Sequence, residues 1–171
     1  VRRQALRDAR LEEELRSFRR RRRAMLSSDS EQWFTPRWLL EYAAAKWGPF
    51  ALDPAADPRA IDAWELCAAH WTVDDDGLAQ PWHGAVWLNP PYGSQIPKWV
   101  AKCAAELASG RVRRIVLLVP ARPDTGWWAA ALEAGAVPEF RRGRVRFLRP
   151  DGTSRAGAPF PSAFLVFEGG G

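Results

Sequence analysis

A chain of 171 residues has room for one compact domain plus an extension, and leaves no comfortable space for a separate specificity domain. Hydrophobic residues make up 47% of it, with 10 Trp and 8 Phe, enough apolar surface to exclude a largely disordered protein. The formal charge of +5 is uneven: residues 1–30 hold 10 Arg against 5 acidic residues, 31–97 hold 3 basic against 9 acidic, and 98–171 hold 12 basic against 6 acidic.

Residues 4–25 contain no Gly or Pro and place Leu6, Leu11, Leu15 and Phe18 on one helical side, which predicts a charged helix followed by a linker at Ser27 to Ser30. This divides the chain into a basic extension, 1–30, and a folded domain, 31–168. The domain opens at Thr35-Pro36, where Thr is expected to cap a helix and Pro to occupy its first turn. Trp38, Leu39, Tyr42 and Ala43 follow at helical spacing until Gly48-Pro49 stops the helix. A short apolar strand, Phe50 to Leu52, ends in Asp53-Pro54, and a short helix is predicted over 60–69. Ala85 to Leu88 forms another apolar run, leading directly into Asn89-Pro90-Pro91-Tyr92. Residues 97–108 read as a helix, Arg113 to Val119 as a buried strand, and Thr125 to Ala134 as a helix closed by Gly135. Val145 to Leu148 and Ala163 to Phe167 are the last strand candidates, separated by a Gly/Pro-rich turn.

Alternating strands and helices predict an α/β fold, with a mainly parallel sheet covered on both faces. Ligands in such sheets bind beyond the carboxyl ends of the strands. Asp53-Pro54 and Asn89 to Tyr92 both fall there.

Asn-Pro-Pro-Tyr after an apolar strand carries a specific chemistry. The exocyclic amine of adenine is a poor nucleophile because its lone pair is delocalised into the ring. Two acceptors on the amine hydrogens, the Asn89 side-chain oxygen and the Pro90 carbonyl, draw that lone pair back onto nitrogen. Pro90 and Pro91 hold φ near −65° and so aim the carbonyl, and a preorganised dipole of this kind need not reorient during reaction. Tyr92 offers a ring on which a base turned out of the duplex can stack, worth about 1–3 kcal/mol. The alternative is a Pro-rich turn closed by a surface Tyr.

The ordered set Gln32-Trp33-Phe34-Thr35-Pro36, Phe50-Ala51-Leu52-Asp53-Pro54-Ala55-Ala56, Asp76-Gly77-Leu78 with Trp82, and Asn89-Pro90-Pro91-Tyr92 resembles the small phage-type (Dam-like) DNA N6-adenine methyltransferases. Leu117 to Arg122, Thr125 with Trp127, Gly143-Arg144 with Phe147, and Pro159 to Ser162 are similar to the same pattern. The resemblance covers about residues 31–168. It implies a Rossmann-like class I methyltransferase sheet with antiparallel C-terminal strands, and S-adenosylmethionine as methyl donor. It also implies DNA as partner and a bacteriophage or prophage setting in a bacterial cytoplasm, with avoidance of host restriction one purpose. Trp33, Phe34, Thr35 and Pro36 match the segment that closes over the methionine part of the cofactor. Asp53, with Pro54 and Ala55, matches the acidic motif that pairs with its ammonium group, and Asp76 matches a position near its adenine. Asn89, Pro90, Pro91 and Tyr92 match the catalytic motif.

Asp53 is followed by Pro54-Ala55-Ala56-Asp57 where many methyltransferases carry a Gly-x-Gly loop. Asp57 and Asp62 are both candidates for the cofactor ribose, and a solvated acidic loop is the alternative for Asp74 to Asp76. Arg122, Arg142 and Arg144, together with Arg141 and Arg146, are expected to meet phosphates around the target adenine, against the alternative of a charged strand edge. Trp127 and Trp128 read as packing residues, and His70 and His83 receive no role. The same motif also serves cytosine N4, RNA adenine and protein glutamine, and a non-catalytic nucleic-acid-binding protein is the rival from another class.

Cys67 and Cys103 lack metal-site or disulfide-framework spacing, so no metal is expected. No apolar run reaches the roughly 20 residues that span a bilayer, and no signal-peptide core follows the Arg-rich start, so the expectation is a soluble intracellular protein. The Val1 start fits a fragment or a literally translated alternative start codon.

Overall fold

The computed structural model describes residues 33–60 and 65–170. The helix and linker expected before residue 31, and Asp62, lie outside the described residues. The first helix, α1 (Arg37–Trp47), has Pro36 as its N-cap residue with no side-chain cap bond. Thr35 therefore does not cap it, because its hydroxyl is engaged elsewhere. The helix ends where the Gly48 N–H meets the Ala44 carbonyl at 2.9 Å. A Cβ at Gly48 would lie 2.5 Å from that oxygen, so only glycine fits this stop.

Six strands form one sheet: β1 (Phe50–Asp53), β2 (Cys67–His70), β3 (Gly84–Leu88), β4 (Val112–Pro120), β5 (Val137–Phe140) and β6 (Ser162–Glu168), in the order β2-β1-β3-β4-β6-β5. The pairs β1–β2, β1–β3 and β3–β4 are parallel, whereas β6 runs antiparallel to both β4 and β5. From Ile115 to Pro120 every residue of β4 is buried, as expected for a central strand covered on both sides. Helix α2 (Ile96–Ala108) and helix α3 (Gly126–Glu133) pack on each other, and α2 also packs on β4 and β6.

Successive side chains of β5 show how both faces are covered. The Tyr42 hydroxyl of α1 donates to Glu139 at 2.5 Å, while Phe140 stacks on Trp128 of α3 with centroids 6.0 Å apart. Trp47 packs edge-on against Phe164 at 5.0 Å, and Phe164 in turn meets Trp87. Trp82, Trp87, Phe147, Phe164 and Phe167 are fully buried, each adding about 1.5–3 kcal/mol of apolar burial. Cys67 and Cys103 are buried thiols, not bonded to one another, and burial drives both thiols far above their ordinary pKa.

Two further expectations are corrected, and one strand lies where none is expected. The helix expected over 60–69 gives way, in its described part, to a turn and then to β2, because Phe50 pairs with Cys67 and Leu52 with Ala69 at the sheet edge. β5 was not anticipated; it contains Pro138, which an edge strand tolerates because one side of its backbone needs no ladder partner. Val145 to Leu148 is no regular strand. Val145 and Phe147 are buried between exposed Arg144 and Arg146, the alternation of a strand, but the backbone bonds go to loop residues: Ala158 N–H to Val145, Arg155 N–H to Phe147, and Leu148 N–H to Phe34.

Candidate active site

One edge of the sheet gathers the residues of interest. β1 ends at Asp53, β3 delivers Asn89, β4 delivers Arg122, and β5, parallel to these strands, delivers Arg141 and Arg142. β6 begins there with Pro161-Ser162, whose Pro161 carbonyl accepts from Ala121 N–H at 2.8 Å. β1 and β3 are direct neighbours, with Leu52 opposite Val86. The chain leaves β1 for β2 on one side and enters β3 on the other, which makes the gap between them a topological switch point.

Asn89 is held with definite polarity. Its Nδ2 donates to the Trp33 carbonyl at 2.6 Å and to the Thr35 hydroxyl at 2.9 Å. A carbonyl only accepts, so the nitrogen must face Trp33. That leaves Oδ1 facing away, buried and without a hydrogen-bond partner. An acceptor in that state costs stability unless a donor arrives.

The Asp53 carboxyl is 4% exposed and accepts the Ala55 N–H at 3.0 Å. Burial pushes its pKa up to about 7, and the Ala55 bond opposes this only in part; among the described residues no cation contributes. Asp53, Pro54 and Ala55 are continuous with the loop after β2: Trp71 N–H donates to the Asp53 carbonyl at 2.8 Å, and Ala56 N–H to the Trp71 carbonyl at 2.9 Å. The acidic loop is locked onto the same turn, because a Cβ at Gly77 would fall 1.9 Å from the Pro54 oxygen. The Trp82 indole N–H donates to the Gly77 carbonyl at 2.8 Å. This fixes Asp76, exposed and in the left-handed region at φ 52°, directly beside the Asp53–Pro54 turn. Asp75 has a local task instead: it accepts from the Thr72 N–H and hydroxyl, which hold its pKa below the usual range. Asp57 is bridged by Arg59 at 2.8 Å, and the Arg59 guanidinium lies 5.3 Å from the Phe34 ring centroid.

An aromatic wall closes the Asn89 side. Trp33 packs edge-on against Phe147 at 5.6 Å and Phe160 at 5.1 Å, and Tyr92 meets the same two rings at 6.1 and 5.7 Å. The Arg155 guanidinium lies 4.6 Å from the Trp33 centroid. Tyr92 is only 4% exposed, with its hydroxyl buried and unpartnered. The ring is therefore covered in this conformation, which sets aside the alternative of a surface Tyr. Phe147 and Phe160 have no legible place beside Tyr92, nor Arg155 beside Trp33, since contacts between segments so far apart carry no local pattern.

Arg122, Arg142, Arg144 and Arg146 are exposed. Arg141 separates from them, lying 4.5 Å from the Tyr42 centroid and 5.8 Å from that of Trp38. Trp128 is buried and Trp127 half-buried. Among the described residues no group of His, Cys, Asp and Glu is arranged to hold a metal ion, and no helix is long and apolar enough to cross a membrane.

Comparison with known proteins places this geometry in context. The family model described as DNA N-6-adenine-methyltransferase (Dam) matches residues 23–168. A protein of Escherichia phage T1 named DNA N-6-adenine-methyltransferase is 29% identical over 106 residues, which cover 61% of this chain and 42% of the phage protein. The match thus spans less than half the length of that relative. Among solved structures, a Pyrococcus horikoshii protein described as a proposed RNA methyltransferase superposes with a TM-score of 0.56 at 14% identity, over 83% of this chain and 88% of its own. At that identity the likeness speaks for the fold alone.

Proposed function

The chain belongs to the DNA N-6-adenine-methyltransferase (Dam) family, and from that membership we propose that it transfers a methyl group from S-adenosylmethionine to the N6 amine of adenine in DNA. The observation that carries this reading is the Asn89 carboxamide, whose nitrogen is tied to Trp33 and Thr35 while Oδ1 stays buried and unpartnered. An amine donor is what that oxygen lacks. With the Pro90 carbonyl as second acceptor, Oδ1 draws lone-pair density onto N6 and stabilises the positive charge that nitrogen gains as the new N–C bond forms.

When bound, the cofactor supplies an electrophilic methyl group on a cationic sulfonium. Asp53 fits its ammonium end: a sealed carboxyl raised to about 7 by burial is relieved by a cation. Trp33 to Pro36, tied to Asn89, and Asp76, whose neighbour Gly77 abuts Pro54, serve as the remaining cofactor contacts, and Ala55 N–H keeps the Asp53 carboxylate oriented. Arg122, Arg142 and Arg144 neutralise phosphates flanking the target. Stacking of the base on Tyr92 requires Phe147 or Phe160 to yield, because the ring is otherwise covered.

The test is methyl transfer from labelled S-adenosylmethionine, followed by nucleoside analysis. N6-methyladenine in DNA is expected, reduced at least about a hundredfold in Asn89→Ala, in the range seen when an oriented acceptor or donor is removed. Cofactor binding should persist in that variant. Label in cytosine, RNA or protein would overturn the substrate assignment, and no binding of S-adenosylmethionine by folded protein would overturn the enzyme reading.

A further inference from the structure

We propose that Thr35 is a positioning residue for the transfer step: together with the Trp33 carbonyl it sets which end of the Asn89 carboxamide meets the amine. This rests on the reading of Asn89 as the acceptor for N6. A carboxamide has nearly the same shape after a half-turn about its last torsion, so packing alone does not distinguish oxygen from nitrogen. Hydrogen bonding does. Both Nδ2 hydrogens have acceptors here, Trp33 at 2.6 Å and Thr35 at 2.9 Å, and Thr35 is itself buried at 8% exposure. In the flipped state Oδ1 would face a carbonyl oxygen, and N–H groups would face an amine that needs acceptors. The hydroxyl that sequence reasoning assigned to capping α1 makes no cap bond; it belongs to Asn89.

The arrangement also links two functions. Trp33 to Pro36 is the segment assigned to the cofactor, so its seating and the polarity of Asn89 are set by the same two bonds. A segment displaced from its place releases the acceptor.

Thr35→Val keeps the shape and removes the acceptor, and Thr35→Ser keeps the acceptor. Thr35→Val should lower kcat about three- to tenfold, the equivalent of one net hydrogen bond, with KM for DNA changed less than about twofold, and Thr35→Ser should restore kcat. A second readout needs no turnover. The Asn89 side-chain amide protons, followed by 15N-resolved NMR, should exchange slowly in the wild type and in Thr35→Ser, and faster in Thr35→Val. Should the valine variant not fold, Thr35→Ala serves both measurements. Wild-type kcat in Thr35→Val, or unchanged exchange of the Asn89 amide, overturns the proposal. An inactive wild type with the expected exchange pattern overturns the methyltransferase reading and leaves the orientation by Thr35 standing.

Discussion

Asp53 allows the energetics of the site to be measured on the unliganded protein. Its carboxyl is raised from an ordinary 3.8 to about 7 by burial, so between those values the native state binds a proton that the unfolded chain has released. Stability must then fall as pH rises through that window. Below about 4 the group is protonated in both states and costs nothing; above about 7 the full penalty applies. At 1.36 kcal/mol per pH unit the penalty reaches about 4 kcal/mol, a sizeable share of the roughly 5–15 kcal/mol that holds a domain folded. Asp53→Asn keeps an oxygen for the Ala55 N–H and removes the titration. Urea unfolding of both proteins from pH 4.5 to 8.5 should show the variant gaining on the wild type across the window and levelling off above about pH 8. Saturating S-adenosylmethionine should reverse the order at high pH, because a cation beside the carboxylate removes the reason for its raised pKa. A difference between the two proteins that stays constant with pH would refute the account of Asp53.

Two further outcomes follow from other parts of the site. Tyr92→Phe deletes a buried hydroxyl that has no partner, so thermal unfolding should occur at the same temperature or higher, by an amount equivalent to about 1–3 kcal/mol, and methylation should persist if the ring alone serves the base. Arg142→Ala combined with Arg144→Ala removes two exposed cations and should reduce the slope of log affinity for duplex DNA against log salt by about 2, measured by fluorescence anisotropy, with cofactor binding unaffected.

The parts of the fold that were legible in the sequence are those where burial and ladder partners coincide. β4 is sandwiched on both faces and reads as an unbroken apolar run, and β3 points straight at Asn89. Elements at the sheet edges escaped. Leu66 to Ala69 suits a helix by composition, yet Cys67 to His70 becomes a strand because β1 offers it a ladder, a tertiary demand that outweighs propensity. Val145 to Leu148 failed in the opposite sense: alternation correctly marked which side chains face inward, but no strand lies alongside to pair with it. In the site, Asn89 and Asp53 were legible because each ends a strand. The Thr35 bond to Asn89, the cover over Tyr92 and the spending of Asp57 on Arg59 were not, since each depends on where another loop comes to rest.

The stitching of Trp33 and Phe34 also bears on how the protein is made. Trp33 bonds Asn89 across 56 residues, Phe34 forms a bridge with Leu148, and Phe160 completes the wall against Trp33. Contacts so distant in the chain pay their loop-closure entropy late, after local helices and neighbouring strands have formed. During synthesis the Asn89 carboxamide thus has its full support only once the segment through Phe160 has left the ribosome. A nascent chain long enough to form β1 to β4 still lacks Phe160 against Trp33, so the activity proposed for the site requires the completed fold.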